Sequence, residues 1–383
     1  MTRRLLEYTR THTPWMLELI ETLVAIESPT DDKAAVDRCG QALADWLGAM
    51  GAPVTRIAAA SAGDHLVARF GPGPRQVLIL GHFDTVWPVG QLARMPIRRA
   101  DGRLYGPGVL DMKAGIALGM LATKALLELA PPGDARITML WTTDEEEGSE
   151  TSRALIESEA ARSEAVLVLE PALAGGALKT SRKGIGQYEL VARGVAAHAG
   201  VDPRKGVSAI REIARQVLAL DAIRDIDRGR LVNVGLVSGG SRPNVVPDLA
   251  RATVDVRAST LADADYLDRT FRGLKAQEPG ASLEVSGGFN RPPMERSEGV
   301  ARLFGIAREV AAEMGVDLAE GGTGGGSDGN FTAALGIPTL DGLGAIGDGA
   351  HALHEHVELE PLPMRAALIA GVLRRVTADR AWR

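Results

Sequence analysis

The sequence contains very little cysteine and no long run of basic or of apolar residues. Cys39 is the only cysteine among 383 residues, so no disulfide can form within the chain, and a reducing compartment, the cytoplasm, is the simplest expectation. The formal charge is −6, which argues against nucleic acid or an anionic membrane as a partner. No run of about 18 apolar residues occurs, and the first residues lack the apolar segment of a signal peptide, so we expect no membrane association.

The length of the chain, in contrast, is sufficient for two or three domains, and its apolar content is sufficient to bury a sizeable core. Residues of the hydrophobic class make up 45% of the chain. Helical spacing and unbroken apolar runs predict helices at 14–26, 41–50 and 113–130, and buried strands at 77–80, 136–143 and 164–171. Strands that alternate with helices in this way indicate an α/β fold with a mostly parallel sheet covered by helices.

A different pattern occupies the middle of the chain. From 184 to 295, alternating strands and helical stretches follow the order β-α-β-β-α-β, which is typical of a ferredoxin-like α+β domain. From 299 onward, a long helical stretch, a glycine-rich segment and a final helix from 361 return to the first pattern. We therefore expect one domain formed by 1–183 and 296–383, with a second domain inserted at 184–295.

Acidic and imidazole side chains follow the predicted strands. His82 and Asp84 are two residues apart at the end of a strand, so both point to one face, and a carboxylate is a common partner for a metal-binding histidine. Asp111 lies in a loop rich in glycine and proline, where a helix N-cap is the alternative. Glu170 ends a buried strand, where an unpaired carboxylate is costly. The carboxyl ends of parallel strands are where open α/β sheets bind ligands.

The acidic row "DEEEGS" begins directly after a buried strand and is expected to enter a helix. Asp144 is able to cap such a helix, and the helix dipole favours acidic residues in its first turn, but this explains three glutamates poorly. Adjacent glutamates point in different directions. We therefore expect Glu145 and Glu146 to have different roles, with one acting as a metal ligand and the other as a base.

Three histidines near the end of the chain, His351, His354 and His356, are candidate ligands that spacing alone does not separate. A mixed set of carboxylate and imidazole ligands suits Zn²⁺, Co²⁺ or Mn²⁺. Two such ions about 3.5–4 Å apart are a recurrent hydrolytic device. The sequence thus predicts a metal site beside the strand ends, and a dinuclear one is consistent with this mixed set of ligands.

Nine motifs occur in the order seen in a known family. They are "GHFDTVWP", "YGPGVLDMKAG", "DEEEGS", "LEPA", "AAHAG", "RPNVVP", "VDVRA", "GGGSDG" and "GAHALHEHV". In this order they resemble the aminoacylase/carboxypeptidase family of dinuclear-zinc peptidases, most closely its glutamate carboxypeptidase branch, which cleaves a C-terminal glutamate from folates and other N-acyl amino acids. The resemblance covers nearly the whole chain. It implies a zinc-peptidase α/β domain with an inserted ferredoxin-like domain, two Zn²⁺ per subunit, a small N-acyl amino acid or peptide as substrate, and a homodimer.

The resemblance also assigns the metal ligands. It implies that His82 and Glu170 bind one ion, and that Glu146 and a late histidine bind the other. The late histidine is His351, because the family has a glutamate four residues and a valine six residues downstream of it. Asp111 would bridge the two ions, beside a cis peptide bond to the next residue.

Further roles follow from the same resemblance. Asp84 would orient His82, and Glu145 would be the general base. His198 would reach the active site of the other subunit and help to stabilise the oxyanion. Asn244 and Arg257 resemble residues that hold the substrate carboxylate, although a surface position is the alternative for such an arginine.

Two assignments depend on looser matches. Arg291, in "FNRPPM", could favour an acidic side chain of the substrate. The amides of the glycine-rich segment, at Gly325 and Gly326, precede a helical stretch and could receive the substrate carboxylate. A phosphate is the alternative ligand there, but the segment lacks the lysine and the hydroxyl residue of a P-loop.

Other functions stay open at this point. The same fold could be used by an N-acyl amino acid deacylase or by an aminopeptidase, and the pocket lining that separates these activities is not readable from the sequence. A non-catalytic ligand-binding protein and a phosphate- or nucleotide-handling α/β protein are more remote alternatives.

Overall fold

The computed structural model describes residues 1–378 of the chain, which form two compact units. Within the described residues, the core unit comprises Met1–Ser181, Arg296–Gly322 and 327–378, and the inserted unit comprises Arg182–Glu295 with Thr323–Gly326. The inserted unit thus begins at 182 rather than 184 and includes part of the glycine-rich segment. The Lys183 N–H donates to the Thr323 carbonyl at 3.0 Å, which attaches that segment to the inserted unit.

Ten α-helices are described within these residues. They are α1 (Thr2–Thr11), α2 (Thr13–Ala25), α3 (Lys33–Ala49), α4 (Ala114–Leu129), α5 (Arg153–Ala161), α6 (Ala209–Asp221), α7 (Leu261–Arg272), α8 (Glu298–Glu313), α9 (Gly329–Ala334) and α10 (Leu362–Ala378). Helix α3 begins eight residues before its predicted start because Asp32 caps it, accepting the Ala35 N–H at 3.0 Å. Across residues 1–378, no helix combines the length and apolar character needed to cross a membrane.

Eighteen strands are described in the same range. They are β1 (Val54–Ile57), β2 (His65–Phe70), β3 (Arg75–His82), β4 (Arg98–Ala100), β5 (Arg103–Tyr105), β6 (Ala135–Thr142), β7 (Ser163–Val168), β8 (Leu178–Arg182), β9 (Gly184–Arg193), β10 (Ala197–His198), β11 (Leu231–Gly239), β12 (Val245–Val246), β13 (Leu249–Ala258), β14 (Ser282–Arg291), β15 (Glu320–Thr323), β16 (Thr339–Leu340), β17 (Gly347–Asp348) and β18 (His356–Glu358).

The main sheet of the core unit has the strand order β1-β2-β6-β3-β7-β16. Strands β6, β3, β7 and β16 are parallel to one another, whereas β2 is antiparallel to β6 and β1 is antiparallel to β2. Along β3, Val77 and Ile79 join one apolar cluster, which includes residues of α4 and α10, while Leu78 and Leu80 join another. A sheet buried on both faces explains the unbroken apolar runs. The predicted mostly parallel α/β fold is confirmed.

The inserted unit contains one antiparallel sheet with the order β11-β13-β9-β14. Helices α6 and α7 pack on this sheet, and the rings of Tyr188 and Phe271 stack with their centroids 4.1 Å apart in its core. With the elements in the chain order β9-α6-β11-β13-α7-β14, this is the ferredoxin-like pattern that the sequence predicts.

The carboxyl ends of β3, β6 and β7 meet at one edge of the core sheet because these strands are parallel. His82 is the last residue of β3 and pairs in register with Thr142, the last residue of β6. The acidic row follows Thr142, and Glu170 lies two residues after β7. The fold therefore brings three separate sequence motifs to one place.

Candidate dinuclear metal centre

His82 is held at the end of β3 by the residues that follow it. It is buried, and its Nδ1 lies 3.1 Å from the Asp84 carbonyl oxygen and 3.3 Å from Asp84 Oδ1. Asp84 Oδ2 accepts hydrogen bonds from Thr30 Oγ1 at 2.8 Å and from the Glu146 N–H at 3.3 Å. With acceptors on the Nδ1 side, the neutral ring carries its proton there and presents the Nε2 lone pair to the centre.

Asp111 lies between the two histidines that the resemblance selects. Its Oδ1 is 3.3 Å from His82 Nε2, and its Oδ2 is 3.4 Å from His351 Nε2. His351 Nε2 is also 3.3 Å from Glu146 Oε2. The peptide bond between Asp111 and Met112 is cis. One carboxylate thus offers one oxygen to each imidazole, which is the arrangement expected of a bridging ligand.

The structure separates the three late histidines from one another. His351 is within ion-pair distance of two carboxylates of the centre. His356 is buried in β18, where its Nδ1 lies 2.9 Å from the His354 carbonyl oxygen and its ring lies 5.2 Å from that of Tyr105. His354 itself is exposed. The geometry therefore favours His351 as the metal ligand, which is the histidine that the resemblance also selects.

The acidic row forms a single 3-10 turn and does not enter a helix directly, which corrects the expectation from the sequence. The turn spans Glu145–Glu147 and is followed by Gly148 at φ 100, a left-handed conformation that ends it. Asp144 Oδ2 accepts the N–H groups of Thr151 at 2.6 Å and Ser152 at 3.2 Å, and α5 begins one residue later. Asp144 thus orders the loop before the helix.

The three glutamates of this turn have different surroundings. Glu146 faces His351, as described above. Glu145, His82 and Glu170 each offer a ligand atom, and these atoms lie within 4.8 Å of one another. Glu147 is exposed. Distance places both Glu145 and Glu146 at the centre, and it does not by itself distinguish the base from the ligand.

Glu170 completes the group of side chains around His82. It is 7% exposed, and its Oε1 lies 3.7 Å from His82 Nε2. Its backbone carbonyl accepts the Gly344 N–H at 2.9 Å, and the preceding Leu169 N–H donates to the Leu80 carbonyl at 3.0 Å. These bonds fix the chain just beyond β7, where Glu170 points at the centre.

The side chains fit a pair of divalent cations. Ligand atoms about 2.0–2.1 Å from a tetrahedral zinc ion lie about 3.3 Å from one another. His82 Nε2 lies 3.3 Å from Asp111 and 3.7 Å from Glu170, and His351 Nε2 lies 3.3 Å from Glu146 and 3.4 Å from Asp111. Asp111 Oδ1 and Glu146 Oε1 are buried and accept no hydrogen bond from residues 1–378. Such oxygens, together with imidazole nitrogens, are typical ligands of zinc, cobalt or manganese.

The charges of the centre also favour the binding of cations. Hydrogen bonds with Asp111 and Glu146 raise the pKa of His351 to about 10. Burial acts to lower the pKa of His82, but contacts with Asp111 and Asp84 outweigh it and hold this pKa well above its usual value. Burial also raises the pKa of Glu146. The crowded carboxylates thus require positive charge, either as protons on the histidines or as metal ions.

Two further buried carboxylates support the loops of the centre, and neither was predicted from the sequence to be a site residue. Asp328, in "GGGSDG", accepts hydrogen bonds from Ser149 Oγ and from Thr142 Oγ1, the latter at 3.1 Å, on either side of the acidic row. Glu355 accepts N–H groups from the loop of Asp111. Their motifs were visible in the sequence, but motif position alone does not identify hydrogen-bond partners far along the chain.

The candidate residues for substrate binding all lie in the inserted unit. His198 pairs in register with Val245, and the Ala199 N–H donates to the Asn244 carbonyl at 2.9 Å, so His198 and Asn244 are neighbours on its surface. His198 Nδ1 accepts the N–H groups of Gly200 and Val201, each at 3.1 Å. The neutral ring therefore carries its proton on Nε2, which makes that nitrogen a donor.

Arg257 is already paired within the inserted unit. Its Nε lies 2.9 Å from Asp255 Oδ1 and its Nη2 lies 2.8 Å from Asp255 Oδ2, in a bidentate ion pair. Arg291 is buried and packs against Gly326, where a Cβ atom would lie 2.8 Å from Arg291 Cδ. The Arg182 guanidinium donates to the carbonyls of Gly325 at 3.2 Å and of Gly326 at 2.8 Å. The structure thus orders both glycines through their carbonyl groups.

Comparison with known proteins identifies the relatives of this chain. The family model described as "Peptidase family M20/M25/M40" matches residues 78–375. Carboxypeptidase G2 of Pseudomonas sp. strain RS-16 is 33% identical over 375 residues, which cover 96% of this chain and 90% of the relative. A succinyl-diaminopimelate desuccinylase of Cereibacter sphaeroides is 31% identical over 320 residues, covering 77% of this chain and 81% of the relative.

A solved structure supports the fold. The aminopeptidase PepT from Bacillus cereus superposes with a TM-score of 0.79 at 23% identity and covers 96% of this chain and 99% of its own. The family match spans most of the chain, and the identity to the carboxypeptidase extends over nearly all of it. The chain therefore belongs to peptidase family M20/M25/M40, and it is a metal-dependent hydrolase.

Proposed function

We propose that this chain is a dinuclear-zinc carboxypeptidase that releases a C-terminal amino acid, such as glutamate, from N-acyl amino acids or small peptides. The observation that carries the proposal is the position of Asp111, whose two oxygens lie 3.3 Å and 3.4 Å from two different histidines. The identity of 33% to a relative named carboxypeptidase G2 supports cleavage at the C-terminal residue.

The chain would hold the two ions with five side chains. His82 and Glu170 are the ligands proposed for one ion, His351 and Glu146 for the other, and Asp111 for both. When bound, the metal pair supplies Lewis acidity, which makes water nucleophilic near neutral pH and polarises a carbonyl group. Co²⁺ and Mn²⁺ are alternatives that the ligand set also accommodates.

Glu145 is the base in this proposal. It would take a proton from the attacking water as the water oxygen bonds to the amide carbon, and it would pass that proton to the amine nitrogen as the C–N bond breaks. Its carboxylate has a ligand atom within 4.8 Å of those of His82 and Glu170. Asp84, within 3.3 Å of His82 Nδ1, would hold that imidazole in the required tautomer.

The inserted unit would supply the groups that recognise substrate. His198 of the other subunit would donate from Nε2 to the oxyanion. Arg257 would hold the substrate carboxylate, together with Asn244, and its ion pair with Asp255 means that the substrate competes with an existing partner. Arg291 would favour an acidic side chain of the substrate, and the amides at Gly325 and Gly326 would receive the substrate carboxylate.

A homodimer formed through the inserted unit is part of the same proposal. Strand β11 is at the edge of its sheet, and Leu236 and Val237 on this strand are 68% and 57% exposed. The neighbouring helix α6 carries Leu218, which is 74% exposed. An open strand edge beside exposed apolar side chains is typical of an interface.

Light scattering tests the dimer with a matched pair of variants. Leu236→Asp should convert a dimer to a monomer, whereas Leu261→Asp, on α7, should leave the dimer intact. A wild-type chain that is monomeric at micromolar concentration, or a Leu236→Asp variant that still dimerises, would exclude this interface.

A deacylase or an aminopeptidase on the same fold is the second candidate. The relatives include enzymes named desuccinylase and a structure named aminopeptidase, so each activity occurs among proteins similar to this chain. A substrate screen separates these functions from the carboxypeptidase.

The screen uses zinc-loaded protein and N-acyl amino acids that end in Glu, Asp, Ala, Phe or Lys. We expect hydrolysis that requires a free C-terminal carboxylate and is fastest for the glutamate compound. Equal rates on the corresponding C-terminal amides, or cleavage only of peptides with a free amino terminus, would instead favour an aminopeptidase. Turnover determined by the acyl group alone would favour a deacylase.

A further inference from the structure

Glu355 is a buried carboxylate that accepts four hydrogen bonds, and the mechanism above does not use it. It is 1% exposed. Its Oε2 accepts from Trp87 Nε1 at 2.8 Å and from the Gly108 N–H at 2.9 Å. Its Oε1 accepts from the Leu110 N–H at 2.9 Å and from the Asp111 N–H at 3.2 Å. Each carboxylate oxygen therefore has two N–H donors, all four of them uncharged.

These donors belong to loops that carry proposed metal ligands. Trp87 lies in the loop that follows His82 and β3. Leu110 and Asp111, the proposed bridging ligand, lie in the irregular π-helical turn Val109–Lys113, and Gly108 directly precedes it. Glu355 itself lies four residues after His351 in the chain. One carboxylate thus joins the loops of three of the five proposed ligands.

The loop between His351 and Glu355 is itself ordered. The Ala352 N–H donates to the Gly349 carbonyl at 2.8 Å, and the Glu355 N–H donates to the Ala352 carbonyl at 2.9 Å. A shift of the Glu355 carboxylate would therefore be transmitted to His351 through a short, hydrogen-bonded turn.

The centre needs such a connection because its ligands repel one another. Several carboxylates lie within a few ångströms, and like charges favour their separation. Hydrogen bonds to an ionised acceptor are stronger than neutral ones, and burial strengthens them further. A buried carboxylate that binds the backbone of one ligand loop and a side chain of another opposes this separation.

We propose that Glu355 is a positioning residue that holds the loops of His82, Asp111 and His351 at the spacing required for metal binding. The inference rests on the proposed dinuclear centre, but it concerns metal affinity rather than the choice of substrate. Partners that orient metal ligands typically contribute 10–100-fold to affinity, about the effect expected here.

Glu355→Gln is the direct test. Glutamine keeps the volume, but it replaces one acceptor oxygen by an amino group that would face N–H donors, so about half of the four hydrogen bonds are lost. Glu358→Gln is the matched control, because Glu358 is exposed on β18 and its change removes the same charge. Zn²⁺ is titrated calorimetrically into chelator-treated full-length protein. We expect affinity to fall about 10–100-fold for Glu355→Gln and to stay unchanged for Glu358→Gln.

Two additional measurements separate positioning from a general loss of folding. The visible absorption spectrum of Co²⁺-loaded protein reports ligand geometry, and it should change in Glu355→Gln but not in Glu358→Gln. Trp87→Phe removes one donor from a half-buried position and should weaken Zn²⁺ binding and alter the Co²⁺ spectrum in the same sense. If Glu355→Gln does not fold, the Trp87→Phe variant decides the question.

Wild-type Zn²⁺ affinity and an unchanged Co²⁺ spectrum in a folded Glu355→Gln variant, or in Trp87→Phe where Glu355→Gln does not fold, would overturn the inference. That result differs from failure of the proposed function, which would appear as wild-type protein that binds Zn²⁺ but hydrolyses no N-acyl amino acid.

Discussion

At the scale of single residues, the three adjacent glutamates of the acidic row are chemically identical, and their proposed roles differ because each has different neighbours. Glu146 Oε2 lies 3.3 Å from His351 Nε2, Glu145 lies near His82 and Glu170, and Glu147 is exposed. The sequence could predict that neighbouring side chains diverge. Local spacing could not predict the partners, because these come from β3, from just beyond β7 and from a loop about two hundred residues further on. The pairing of Glu146 with His351 came from the family resemblance instead.

Glu145→Gln should retain metal and lose most turnover. The amide keeps the size of the side chain but cannot accept and return the proton of water, and general base catalysis contributes about 10²–10⁴-fold. Glu147→Gln is the matched control, since Glu147 is exposed and the charge change is the same. Metal content by mass spectrometry and kcat on an N-acyl glutamate provide the measurement. A Glu145→Gln variant with wild-type kcat would show that another group is the base.

Metal binding should release protons and become tighter as pH rises. The pKa of His351 is raised to about 10, above its usual value, so this histidine is protonated in the metal-free protein near neutral pH. A metal ion must displace that proton, and the competition weakens as pH approaches about 10. Calorimetry in buffers of different ionisation enthalpy counts the protons. Zinc binding that releases none between pH 7 and pH 8 would contradict this prediction.

At the scale of elements, long periodic segments were predictable and short ones were not. The apolar runs of β3, β6 and β7 predict buried strands, because a sheet covered on both faces has no polar side. Strand β1 has four mostly exposed residues and β16 has two residues, so each depends on its pairing partner rather than on its own pattern. The turn Glu145–Glu147 likewise depends on a neighbour, because Gly148 at φ 100 ends it.

The contact between α4 and the chain after β7 should tolerate no side chain. A Cβ atom at Gly115 would lie 2.2 Å from the carbonyl oxygen of Leu169, the residue before Glu170. Gly115→Ala should therefore lower the free energy of unfolding by about 1–3 kcal/mol. Gly305 lies in α8, where an added Cβ would meet no described atom within 4 Å beyond its chain neighbours and the backbone of its own helix. Gly305→Ala should therefore raise the free energy of unfolding by about 0.5–1 kcal/mol.

Urea denaturation followed by circular dichroism measures both changes. A Gly115→Ala variant as stable as the wild type would show that the helix can move away from the strand end without cost. The Gly305→Ala variant reports the intrinsic preference of a helix for alanine in the same molecule.

At the scale of the whole molecule, the order of motifs predicted the fold class and the family. The mostly parallel core sheet and the β-α-β-β-α-β sequence of the inserted unit were predicted from the residue patterns, but the order of the strands within each sheet was not. The addition of 323–326 to the inserted unit was not predictable, because it depends on hydrogen bonds such as those from Arg182 to two glycine carbonyls. Substrate preference depends on side chains from distant segments, and the cytoplasmic location stays a prediction from the single cysteine.

The two-metal mechanism is tested most directly by returning Zn²⁺ to chelator-treated protein while the release of glutamate from an N-acyl glutamate is measured. We expect no release before zinc is added, and a rate that rises until two ions are bound per chain. A rate that is independent of zinc, or that is complete with one ion per chain, would contradict a centre in which Asp111 bridges two metals.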